Sequence, residues 1–148
     1  MNKKRINDRL ISRHIVGILF LVYIFEVLWI TLFSRKPEKR DFIPAIFWGF
    51  RVYFTYGQVG LKIVFQYAMN IILFIPFGFL FPWKRKGCIP LMVSAMLISA
   101  SIELLQFIFY LGLSEIDDVV ANTLGAIIGW HIFILLKKLI DKVGKDSI

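Results

Sequence analysis

The fold is decided by the stretch Ser101–Gly129, SIELLQFIFYLGLSEIDDVVANTLGAIIG. It places Glu103 and Gln106 one helical turn apart inside an apolar run, breaks at a short acidic turn, and re-enters apolar sequence through DDVVAN. An ionisable side chain inside a membrane span costs about 2.5–3.5 kcal/mol on insertion scales, so it faces protein or water and marks a functional position. Beyond it Ala121, Gly125 and Gly129 repeat small residues every fourth position. Such a stripe is nearly flat and lets another backbone approach closely. The polar groups are therefore expected beside a tight helix contact, intolerant of Leu at Gly125 but tolerant of Ala.

Working outward, 148 residues that are 58% hydrophobic with a net charge of +8 are too apolar for an ordinary soluble core. The mean hydropathy is +0.72. The chain reads as one integral membrane domain over 1–148, an all-α four-helix bundle. Lys and Arg fall in short clusters flanking apolar runs, which suits topology setting and anionic lipid rather than nucleic acid. Cys88 is the single cysteine, so there is no internal disulfide and no cysteine metal cluster.

Four spans are expected, at about 15–33, 63–83, 89–111 and 119–136. The first follows a basic leader, has the length of a span and carries no cleavage signal, so it is read as uncleaved. Residues 34–62 are crowded with aromatic rings but interrupted by Pro44, Arg51 and three glycines. That suits an interfacial segment, or a platform over the polar cluster, better than a fifth span. Pro76 with Gly78 predicts a bend in span two. In span three, Ala95, Ser99, Glu103 and Gln106 fall on one stripe. Ser114 and the acids after it suit the start of the last helix.

Four spans leave both termini on one side. Five basic residues lie in Met1–Arg13, three at Lys84, Arg85 and Lys86, four in the tail and none in the 112–118 turn, so both termini are read as cytoplasmic. Six basic residues in 34–62 oppose this, partly offset by two acids. At 1.5 Å per residue, Glu26, Asn70 and Glu103 then lie about 10–12 Å below the outer ends of their spans, and Asn122 about 5 Å. With Gln106, Asp117 and Asp118 they form an acidic, amide-rich pocket open to the outside. The plainer reading is that these groups only lock the bundle, at about 0.6–2 kcal/mol per contact. His14 and His131 are remote from the pocket, and no metal-binding spacing is present. A hard cation held by three carboxylates with lipid phosphate is a minor alternative. No cofactor is called for.

The pieces DFIPA, Asn70–Leu80 (NIILFIPFGFL), SIELLQ around Glu103 and Gln106, and EIDDVVANTLGAIIG over 115–129 resemble the VanZ-like family of small bacterial membrane proteins. That family often carries an Arg shortly before the final acidic pair, where 113–116 has none. The resemblance implies a bacterial membrane location and a part in low-level resistance to the glycopeptide teicoplanin. The reading favoured here is a non-enzymatic protein that binds a lipoglycopeptide, an envelope lipid or a precursor in the outward pocket. Membrane lipid is the general partner, and a homodimer is compatible. The alternatives are a membrane hydrolase or transferase using Glu103 as base, and a small proton-coupled exporter.

Overall fold

In the computed structural model, residues 3–37, 41–81 and 87–146 are described. The basic loop at Lys84, Arg85 and Lys86 lies outside them. The chain is almost wholly helical: α1 (Lys3–Leu28), a π-helical turn (Trp29–Phe33), β1 (Asp41–Ile43), α2 (Trp48–Tyr56), α3 (Gln58–Leu80), α4 (Cys88–Ile108), β2 (Leu113–Glu115) and α5 (Ile116–Asp146). Among the described residues four segments are long and apolar enough to cross a membrane: His14–Phe33, Gly60–Leu80, Cys88–Ile108 and Ile116–Val143. The four expected spans are these four helices, with ends that differ for local reasons.

Span two starts three residues early and ends three residues early. Gly57 at φ 56°, ψ −111° turns α2 directly into α3, and Gly60 lies against the Tyr53 backbone, where a side chain has no room. At the other end Phe81 is extended, as a residue before proline prefers. The helix runs unbroken through Pro76. Span three stops at Ile108 because Tyr110 and Gly112 adopt positive φ, 58° and 119°. Span four begins at Ile116 and α5 continues to Asp146, well past the expected 136.

The α3–α5 pair is the most extensive helix contact. Gly125 and Gly129 of α5 lie on the backbone carbonyls of Ile71 and Ile75, and Gly78 of α3 lies on the carbonyl of Ala126. The small-residue stripe therefore makes the contact, and α3 adds a glycine of its own. One expectation needs correction. Even the Cβ of alanine at Gly125 would run into the Ile71 carbonyl oxygen, a backbone atom that cannot swing aside.

The core is aromatic and aliphatic, with Phe74, Phe77, Leu91 and Val27 fully buried. α1 joins it through Phe20, Tyr23, Ile24 and Val27, and the Tyr23 hydroxyl donates to the Leu73 carbonyl at 2.8 Å. The 34–62 segment is not a span. It supplies β1, which pairs in parallel with β2 (Asp41 with Leu113, Phe42 with Ser114, Ile43 with Glu115), and the nine-residue α2. This pairing fixes the α1–α3 and α4–α5 connections at the same end of the bundle, where the polar groups gather.

Candidate functional site

The buried stripe of α4 is the one its spacing predicts: Ala95, Ser99, Glu103 and Gln106 all face inward. The Gln106 amide donates to the Thr31 carbonyl in the π-helical turn at 3.0 Å, tying α4 to the end of α1. The Asn122 amide of α5 donates to Ser99 Oγ at 2.7 Å. Glu103 accepts the Glu115 N–H at 2.9 Å and the Ser114 hydroxyl, so one carboxylate grips β2. Ser114 is therefore not a helix cap: it sits in β2, only 3% exposed, with its hydroxyl turned to Glu103.

Asp117 performs the capping instead, at long range. Its two carboxylate oxygens accept the Phe47 N–H at 2.7 Å and the Trp48 N–H at 2.9 Å at the start of α2. Phe47 is held there at φ 60° without a side-chain cap of its own. A carboxylate at a helix N-terminus satisfies unpaired donors and complements the dipole. The second oxygen also receives the Tyr67 hydroxyl at 2.7 Å, and Tyr67 in turn accepts the Gly49 N–H at 3.0 Å. Asp117 thereby clamps the 34–62 segment over the cluster.

The Tyr67 oxygen also lies 3.1 Å from Glu115 Oε2. One phenolic proton cannot serve two carboxylates. It points to Asp117 at the shorter distance, so its contact with Glu115 is the weaker of the two. Burial, and after it the charge of Asp118, push the Glu115 carboxyl up to about 7, against the opposing pull of the Tyr67 hydrogen bond and the Arg35 charge. Desolvation disfavours the charged form of any buried acid.

Asp118 is 3% exposed and faces Asn70 and Gln66 of α3. Among the described residues its Oδ1 has no hydrogen-bond partner, nor do Gln106 Oε1 and Asn122 Oδ1. Buried polar atoms are nearly always paired, so each such orphan marks an acceptor open to a missing donor. The Arg35 guanidinium acts electrostatically on Glu103, Glu115 and Asp118 together. It comes from just after the first span.

Two cavities flank the cluster. One, of about 550 Å³, is bordered by Arg35, Lys36, Gln66, Gly112 and Glu115. The other, of about 350 Å³, runs between Phe42, Ala100, Leu104 and Val119 with Glu103 and Glu115 in its lining. Both volumes lie in the range of about 300–1,000 Å³ typical of ligand sites. Glu115 borders both, so β2 is the wall between them.

Of the site residues expected from sequence, Glu103, Asp117, Asp118 and Asn70 meet at this end, and Gln106 and Asn122 flank them through Thr31 and Ser99. Glu26 does not join them. It is exposed on α1, because the inward face of that helix passes through Tyr23, Ile24 and Val27, and Glu26 points about 100° away from Val27. Arg35, Gln66, Tyr67 and Glu115 were not singled out by spacing. Glu115 and Arg35 carried a signal only as charges next to apolar runs; Tyr67 carried none among so many aromatics.

The VanZ/LLP1 family profile matches residues 20–137. The chain is also similar to Protein VanZ of Enterococcus faecium, 28% identical over 140 residues, covering 88% of this chain and 80% of that protein. No solved structure matches. The matched region runs from the middle of α1 almost to the end of the last span and contains every residue of the cluster, and on that ground the chain belongs to the VanZ/LLP1 family.

Proposed function

We propose that this protein works in the bacterial cell membrane, with both termini cytoplasmic, and lowers susceptibility to the glycopeptide teicoplanin. It does so without catalysis, by binding an envelope ligand in an outward-facing pocket. The ligand set is Glu103, Glu115 and Asp118 with Asn70, Gln66 and Arg35; Asp117 supports it by holding α2 in place. The observation that carries this reading is the buried Asp118 carboxylate, with one oxygen unpaired among the described residues, beside Gln66, which itself borders the 550 Å³ cavity.

A second reading is a hydrolase or transferase acting on an envelope lipid. Its specific support is Glu115, whose carboxyl is pushed up to about 7 and is therefore suited to proton transfer at neutral pH. The two readings part on turnover. A binder protects in proportion to its copy number and leaves envelope lipids chemically unchanged. The test is lipid and precursor mass spectrometry of cells expressing the parent or Glu103→Gln at matched levels. Identical profiles alongside parent-only protection support binding; a modified species made only by the parent overturns it in favour of the enzyme.

A further inference from the structure

The 350 Å³ groove is apolar over most of its lining. Its apolar walls are Ala100 and Leu104 of α4, facing Phe42 of β1 and Val119 of α5. Ala100 and Leu104 are exposed on the surface of a helix read as spanning the membrane. At 1.5 Å per residue they lie about 12 Å and about 6 Å below its end at Ile108. The groove therefore opens sideways at the depth of lipid chains. Its polar side chains are Glu103, Ser114 and Glu115; the Glu103 backbone lies about 7.5 Å below Ile108, between Leu104 and Ala100, and its carboxylate reaches β2. Among the described residues no cationic side chain lines the groove. Glu115 itself immediately precedes the last span, which begins at Ile116.

We infer that this groove seats one acyl chain of an amine-bearing membrane phospholipid, with the chain along Leu104, Ala100 and Val119 and the ammonium group at Glu103 and Glu115. An apolar channel at acyl depth that ends in two carboxyls matches a chain ending in a cationic donor, and it disfavours an anionic headgroup. Arg35 and Lys36 border the other cavity, across the β2 wall, and Arg35 acts on the same two carboxyls from that side. The inference rests on the reading of Glu103 and Glu115 as part of a ligand site.

The test uses the full chain in nanodiscs containing phosphatidylethanolamine, phosphatidylcholine and phosphatidylglycerol with identical acyl chains, and native mass spectrometry of the lipid retained on release. Retention of phosphatidylethanolamine should exceed that of the other two by about tenfold, the equivalent of one charge-assisted hydrogen bond. Glu115→Gln should reduce that preference. Ala100→Phe should fill the groove and abolish retention without changing the melting temperature; Leu104→Trp serves the same purpose if the first variant does not fold. Equal retention of the three lipids by the parent, or undiminished retention by a folded groove-filled variant, overturns the inference. Displacement of the lipid by free ethanolamine overturns the part played by the chain. If protection depends on Asp118 while the three lipids are held alike, the resistance reading stands and this occupant falls. If phosphatidylethanolamine is selected but Glu103→Gln and Asp118→Asn protect as well as the parent, the reverse holds.

Discussion

Asp117 and Asp118 are neighbours in sequence with opposite employment. Asp117 is saturated by two backbone N–H groups and the Tyr67 hydroxyl, whereas Asp118 keeps an unpartnered oxygen. Removing a buried acceptor leaves its donors unsatisfied at about 1–3 kcal/mol each. Asp117→Ala should therefore destabilise the protein by at least about 3 kcal/mol, read as thermal unfolding in detergent. Asp118→Asn keeps the shape and should melt with the parent. Glu115 adds a pH dependence. Its folded-state carboxyl titrates near 7, above the ordinary value of 4.5, so the folded state binds that proton more tightly than the unfolded chain does. The associated stability is present below about pH 4.5 and is lost as the pH rises through about 7. Melting temperature should fall between pH 5 and pH 8, and by less in Glu115→Gln; an unchanged slope in that variant would assign the dependence to other groups.

At the scale of elements, the sequence was most legible where a period was long and uninterrupted. The α4 stripe and the α5 glycines could be placed by spacing alone, because helical phase fixes which side chains share a face. The same reasoning failed for Glu26, since a lone acid in an evenly apolar helix does not reveal which face is inward. The 34–62 segment was legible as not a span but not as β1 and α2. A three-residue parallel strand is specified by its partner across more than sixty residues of intervening chain, and α2 is capped by an aspartate from the last helix. Neither relation leaves a local pattern. The close α3–α5 contact makes a firm prediction: Gly125→Ala should lower stability by at least about 2 kcal/mol, as overpacking against a fixed backbone does. A variant melting within a degree of the parent would mean that the two helices can separate freely.

For the whole molecule, β1–β2 pairing and the Asp117 clamp gather the polar groups at one end, and the direction of that end is open to direct chemical test. Cys88 lies at the start of α4, at the opposite end, and is half-buried. Lys36 is exposed at the clustered end. An impermeant maleimide added to intact cells should label Lys36→Cys in a Cys88→Ser background and leave the parent Cys88 unlabelled; the inverse pattern would turn the pocket to the cytoplasm.

If the buried acid cluster rather than the fold as a whole carries function, teicoplanin susceptibility at matched levels of folded protein separates variants inside the cluster from those outside it. The comparison is between the parent, Asp118→Asn and Glu26→Gln, the last altering an acid that the fold leaves outside the cluster. The account predicts that the parent and Glu26→Gln protect equally and that Asp118→Asn does not. Protection by Asp118→Asn equal to the parent's would contradict it.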